Sequence, residues 1–205
     1  MKILVACEYS GTVRDAFAEL GHDAWSCDTL PTESKGNHIQ DDVLKHLDKD
    51  WDLLIAHPPC TYLSRAGARW LYPKAGQLDL IRYEKGLKGK EFFMQLLNAP
   101  IDKISIENPT PLKIFKLPKP TQAIQPYEFG HNFSKRTLLW LKNLTQLKPT
   151  DIVNDYKPLL PSNTGGKKRG QKSNIGFVHT DTIKGDKDAS RTFVGIAKAM
   201  AEQWG

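Results

Sequence analysis

The sequence predicts an α/β protein built on a mostly parallel central sheet flanked by helices. Three features point there: apolar runs without polar alternation that read as strands buried on both faces, a glycine turn and helix after the first of them, and polar clusters at the strands' carboxyl ends. Lys2 to Cys7 is the first such run. Glu8-Tyr9-Ser10-Gly11 makes the turn, and Val13, Ala16, Phe17 and Leu20 then recur at helical spacing until Gly21 stops them. His22 to Cys27 reads as the second strand and ends in Asp28. The chain thus opens as β-α-β with an acid at the tip of its second strand, the plan of a nucleotide-binding α/β domain. Trp51 to Ala56, Lys103 to Glu107 and Leu138 to Leu141 supply further strands, and Leu87 to Leu97 and Thr192 to Trp204 supply helices. Thr61 to Lys85 is longer than an ordinary strand-to-helix connection, a property of functional lids or disordered loops. From Lys148 onward prolines and glycines break any periodicity. The expected organisation is a main domain over 1–147, an irregular basic segment over 148–190, and a closing helix over 191–205 that packs back on the main domain.

A chain of 205 residues fits one medium domain with a sizeable core, and 40% apolar with 25% charged residues is an ordinary globular composition. No apolar run approaches the roughly 20 residues of a membrane span, and the first seven residues are too short for a signal peptide, so the chain is expected to stay inside the cell. The three cysteines, Cys7, Cys27 and Cys60, are odd in number and lack metal-ligand spacing, which argues against a disulfide framework and against a zinc site. A formal charge of +6 favours a polyanionic partner.

Two strand ends carry candidate chemistry. His57-Pro58-Pro59-Cys60 follows a buried strand, and two successive prolines stop that strand while holding the next side chain in a fixed direction. A thiol held there suits a nucleophile or, alternatively, fills a turn. Ser105-Ile106-Glu107-Asn108-Pro109 puts a carboxylate at the tip of another strand, where burial raises a glutamate's pKa enough for it to donate a proton near neutral pH, unless it serves only as a cap.

Taken in order, the glycine turn, the acid after the second strand, the acid near Gln40-Asp41-Asp42-Val43, the Pro-Pro-Cys, the Glu-Asn and the basic pair Lys135-Arg136 resemble the DNA (cytosine-5) methyltransferase family, most of all its short phage-encoded members. Asp52 to Ser64 resembles the nucleophile segment of that family, Ile106-Glu107-Asn108 its Glu-Asn motif, and Tyr9-Ser10-Gly11 the start of its S-adenosyl-L-methionine site. The resemblance covers about residues 1–142 and the last helix. It implies a Rossmann-like methyltransferase fold, S-adenosyl-L-methionine as cofactor, DNA as partner, single- or double-stranded, and the cytoplasm of a bacterial host as location.

It further implies that Cys60 adds to C6 of cytosine, so that C5 gains the electron density to take a methyl group, and that Glu107 holds the N3 and amino edge. Lys135 or Arg136 would steady the pyrimidine carbonyl. Tyr9, Ser10, Gly11, Asp28, Asp42, Pro58 and Gly195 would surround the cofactor, with Asp28 on the ribose and Asp42 on the adenine amine. Ser64 and Arg65 would meet nucleic acid beside the nucleophile, as would Lys167, Lys168 and Arg169 in the late segment.

The sequence departs from the family at several points. Its second turn glycine is replaced around Val13, Thr61 stands where a Gln follows the nucleophile, and the Gln-x-Arg-x-Arg signature reads Phe133-Ser134-Lys135-Arg136-Thr137. Residues 143–205 are too few for a separate target-recognition domain, which implies lax specificity, a partner protein or an oligomer. Two other readings stay open: a catalytically idle relative that binds nucleic acid or cofactor, and the same chemistry on tRNA or a mononucleotide.

Overall fold

Seven strands lie side by side in the order β3-β2-β1-β4-β5-β8-β6 in the computed structural model, which describes residues 1–160, 178–179 and 191–205. They are β1 (Lys2–Ala6), β2 (Asp23–Asp28), β3 (His38–Gln40), β4 (Leu53–Ala56), β5 (Lys103–Asn108), β6 (Gln122–Ile124) and β8 (Thr137–Lys142). The first five run parallel, and β8 is antiparallel to both β5 and β6. This is the mostly parallel α/β sheet that the apolar runs predict. Strand succession proceeds outward in opposite directions from β1 and β4, so a crevice opens at their carboxyl ends, where such sheets bind ligands. A second, smaller sheet joins β7 (Phe133–Ser134), β9 (Lys157–Leu160) and β10 (Val178–His179), the last two inside the stretch expected to be irregular.

Side-chain alternation along each strand sends residues to two separate cores. Ile3, Val5, Leu53 and Ile55 pack beneath α1 (Thr12–Glu19) and the C-terminal helix α4 (Val194–Trp204), meeting Phe17, Met200 and Trp204. Leu4, Leu54, Ile104 and Ile106 face the other way, toward Phe93 and Leu96 of α3 (Leu80–Leu97) and toward Trp140. A sheet covered on both faces has no use for polar alternation, which is why its strands read as continuous apolar runs.

Helix α3 begins seven residues before the expected Leu87, where the Asp79 carboxylate accepts from the Arg82 amide at 2.9 Å. Its first turn leaves Leu80 and Ile81 in solvent, so no inward apolar stripe announces it. The short helix α2 (Ala68–Leu71) interrupts the long connection after Cys60. Strands β3 and β6, of three residues each, are too short to carry a period and arise from pairing with β2 and β8. Among the described residues no helix is long and apolar enough to cross a membrane, and no group of His, Cys, Asp or Glu side chains is arranged to hold a metal ion.

Candidate active site

Five chain segments converge near the carboxyl edge of β1, β4 and β5. Strand β4 ends in Ala56, and His57, Pro58, Pro59 and Cys60 turn outward from it. Parallel pairing of Ala56 with Ile106 sets the next residue of each strand side by side, so His57 and Glu107 meet, with Nδ1 of the imidazole 3.3 Å from Oε2 of the carboxylate. One residue further, Asn108 is fully buried and donates its side-chain amide to the Pro58 carbonyl at 3.1 Å. The Glu-Asn pair thus has two duties: Glu107 faces the cleft, and Asn108 clamps the turn that carries the thiol.

Cys60 is half-buried. Burial pushes its thiol pKa up, the charge of Glu107 adds to the rise, and Lys135 and a hydrogen bond from the Ser64 side chain oppose it. Lys135 therefore reaches the same cluster as Glu107, and its Nζ also lies 5.6 Å from the centre of the Phe193 ring. Arg136 is exposed and turns away to the Thr110 hydroxyl, 3.4 Å from its Nη1. Of the two basic residues left open by the sequence, Lys135 is the one inside. Glu107 departs from expectation: burial does raise its pKa, but the hydrogen bond and charge of His57, helped by Lys135, outweigh burial and hold the carboxyl below its usual range.

Two clefts meet here. One, of about 310 Å³, is walled by Glu107, Lys135, Thr137 and the start of α4 through Phe193 and Ile196. The other, of about 270 Å³, is walled by Cys7, Glu8, Tyr9, Ser10 and His57. Arg191 and Thr192 line both.

The first turn is built differently from what its glycine suggested. Glu8 is only 5% exposed, and its carboxylate accepts from the Val13 and Arg14 amides at 2.7 and 3.2 Å, capping α1 from within the turn. Gly11 has φ +77°, and a Cβ there would strike the Ser34 hydroxyl and the Arg14 guanidinium, so the missing side chain makes room for these protein groups. Arg14 is itself 1% exposed and donates to Ser26, Thr32 and Ser34 and to the Lys35 carbonyl, pinning the loop after β2.

The other sequence-predicted residues fall as follows. Tyr9 and Ser10 line the second cleft. Asp28 and Asp42 stand close enough to Cys7 to act on it electrostatically: burial first, then Asp28, Cys27 and Asp42, push that thiol up to about 12. Asp28 also accepts from the Leu30 amide, and Asp42 caps a single 3-10 turn through the Leu44 amide. Pro58 is buried beneath the nucleophile turn. Gly195 donates its amide to Nε2 of His131 at 3.1 Å, and a Cβ there would overlap the Phe129 carbonyl, close in sequence to the cleft-lining Thr192 and Phe193. Ser64 is 4% exposed, and its side chain hydrogen-bonds Cys60. Arg65 is exposed. Lys167, Lys168 and Arg169 lie outside the described residues.

Three features escaped the sequence reading. Glu8 and His57 open the Glu8-Tyr9-Ser10-Gly11 and His57-Pro58-Pro59-Cys60 segments, but nothing in the sequence gives either a role of its own. Trp70 is 57% exposed with the Arg69 guanidinium 4.5 Å from its ring centre, and the alternation of Arg65, Arg69, Trp70 and Tyr72 was the available signal.

No family model matches the chain, and no curated protein matches it. Among solved structures it is similar to a proposed DNA modification methyltransferase encoded within an E. coli prophage, at 15% identity and a TM-score of 0.44 over 74% of this chain and 51% of that one. It is also similar to a variant of DNMT2 from Spodoptera frugiperda, at 17% identity and a TM-score of 0.38 over 77% of this chain and 54% of that one. The chain spans about half the length of each.

Proposed function

We propose that the protein transfers a methyl group from S-adenosyl-L-methionine to C5 of cytosine in DNA through a covalent adduct of Cys60. The observation that carries this reading is that Glu107 and Lys135 wall one cleft and that both act electrostatically on the nearby Cys60 thiol. A pyrimidine that receives sulfur at C6 needs a partner along its N3 and amino edge and a positive charge for its carbonyl, and these three groups supply that set. The Pro58–Asn108 hydrogen bond fixes the direction from which sulfur approaches.

Glu8 narrows the choice of cofactor. The α1 amides that a dinucleotide fold would offer to a pyrophosphate already hold a carboxylate, so a phosphate-bearing cofactor has no seat there. A nucleoside cofactor without phosphate fits: Tyr9 and Ser10 would line its amino-acid end, Asp28 would accept from the ribose hydroxyls, and Asp42 from the adenine amine. S-adenosyl-L-methionine, when bound, supplies an electrophilic methyl sulfonium. The chain's own part is to hold C6 against Cys60, to keep Glu107 against N3, and to exclude water with Arg191 and Thr192.

Incubating the protein with methyl-labelled cofactor and cytosine-containing DNA, single-stranded and duplex in parallel, tests this. Transfer that yields 5-methylcytosine and falls by about 10³-fold or more in Cys60→Ser is expected. Label on the amino group, or transfer indifferent to that substitution, would sink the proposal. The raised thiol pKa and the exposed Thr61 favour one second reading, a binding protein without turnover, whose signature is retention of DNA or cofactor with no label moved.

A further inference from the structure

We propose that His57 is the proton reserve of Glu107, lending a proton through the carboxyl group to the pyrimidine ring when Cys60 adds and recovering it when sulfur leaves. The inference rests on the C5 reading above and addresses what that reading lacks. Glu107 is held as a carboxylate, which accepts from the cytosine amino group but has nothing to give to N3.

The geometry supplies the missing proton one bond away. Nδ1 of His57 is 3.3 Å from Oε2 of Glu107, and the two side chains are 11% and 25% exposed. The backbone on both sides is fixed, by the β4–β5 ladder before His57 and by Pro58 and Pro59 after it, so the imidazole has little freedom to leave. Its other nitrogen, Nε2, is buried with no hydrogen-bond partner among the described residues.

The charged and titratable groups around the ring are Glu8 from the end of β1, Glu107 from β5 and Lys135 from the turn between β7 and β8, with Cys7, Tyr9 and Arg191 sharing its cleft. Burial disfavours the imidazolium. The bond to Glu107, the charge of Glu107 and the charge of Glu8 outweigh burial and the repulsion from Lys135, and the pKa of His57 rises.

The step balances. As the Cys60 thiolate bonds to C6, the electron pair released into the ring is neutralised by a proton that N3 takes from Glu107, while Glu107 takes the Nδ1 proton of His57. One thiolate and one imidazolium disappear together, and a neutral imidazole remains. After C5 takes the methyl group its own hydrogen leaves separately as a proton to solvent; as the C6–S bond then breaks, the N3 proton passes to Glu107 while Glu107 returns a proton to His57, and no outside donor is consumed.

The test is the pH profile of kcat for methyl transfer by the wild-type protein and His57→Gln, with nitrogen-15 titration of the His57 imidazole in the wild-type protein and Glu107→Gln. Because the step needs both a Cys60 thiolate and a His57 imidazolium, and the thiol has the higher pKa, the relay predicts a wild-type kcat that rises with pH and turns into a flat limb at the His57 pKa. In His57→Gln it predicts loss of that limb, a fall in kcat of about 10²-fold and a DNA KM within threefold of wild type. It also predicts that His57 titrates above about pH 6.5 in the wild-type protein and at lower pH in Glu107→Gln. If His57→Gln melts below the assay temperature, the titration pair alone decides. An active wild-type protein with the same limb in His57→Gln, or a His57 titration unmoved by Glu107→Gln, overturns the relay and leaves the C5 reading standing. Absence of transfer by the wild-type protein overturns both.

Discussion

The Asn108 side chain donates to the Pro58 carbonyl across the boundary between two strands, and this bond is the means by which the end of β5 fixes the nucleophile turn at the end of β4. Proline supplies no amide of its own, so the turn cannot be stitched to the sheet through its main-chain donors there. Replacing Asn108 by Ala leaves a buried carbonyl unpaired, and a loss of about 1–3 kcal/mol in urea unfolding is expected. Methyl transfer should fall further than stability accounts for, because the thiol loses its aim. Unfolding that matches wild type would show that the turn holds its shape without the clamp.

The His57–Glu107 pair gives a pH window with a definite sign. His57 has a raised pKa in the folded protein, so its stabilisation is complete below about pH 6.5 and is lost as pH rises through the folded value. Glu107 has a lowered one, so its share is complete above about pH 4.5 and is lost as pH falls through the folded value. The difference in melting temperature between wild type and His57→Gln should therefore peak between about pH 4.5 and 6.5 and shrink toward pH 8. A difference that grows with alkaline pH would contradict the pairing.

The parts of this site that were legible in the sequence are those a strand end advertises: Cys60 after two prolines, Glu107 before Asn108, and Asp28 at the tip of β2. Long-range electrostatics was not legible. Nothing in a linear reading says that Lys135 enters the cleft while its neighbour Arg136 leaves it, or that a glutamate at a strand tip meets a histidine whose bond and charge hold its pKa down. What fills the space at Gly11 and Gly195 was not legible either, because a sequence shows that a side chain is missing without showing that Arg14, Ser34 or the Phe129 carbonyl stands there. The strands with continuous apolar runs were readable, and β3 and β6 were not, since three residues supported by neighbouring strands need no pattern of their own.

Cys60 should respond to charge changes at its neighbours. Burial and then Glu107 raise its pKa while Lys135 opposes them, so Glu107→Gln should speed alkylation of Cys60 at pH 8 and Lys135→Ala should slow it. Peptide mapping after iodoacetamide treatment separates this signal from Cys7, pushed up to about 12, and from fully buried Cys27. Equal rates in both variants would mean that neither charge reaches the sulfur.

Two glycines three residues apart on α3 should give opposite answers to the same substitution. A Cβ at Gly86 would fall 2.1 Å from the Phe115 ring, which is fully packed, whereas at Gly89 it would make ordinary contact with Leu63 at 3.5 Å. Gly86→Ala should cost about 1–3 kcal/mol through overpacking, and Gly89→Ala should gain about 0.5–1 kcal/mol from helix propensity. Chemical denaturation of the two variants checks the pair, and a stabilised Gly86→Ala would mean that the packing of Phe115 against α3 is loose.

The exposed Trp70, with Arg69 against its face and Arg65 nearby in sequence, has the composition of a stacking platform for unpaired bases. The two kinds of residue should separate in a binding experiment. Stacking is a short-range contact, so Trp70→Ala should weaken binding of a short single-stranded oligonucleotide by roughly 5- to 100-fold at any salt concentration. Phosphate contact releases counterions, so Arg65→Ala or Arg69→Ala should lower the slope of log K against log salt by about 1 each. Fluorescence anisotropy over a salt series reads both effects at once. If Trp70→Ala leaves affinity untouched while the arginine variants lose salt dependence, the strand follows the charges without resting on the ring.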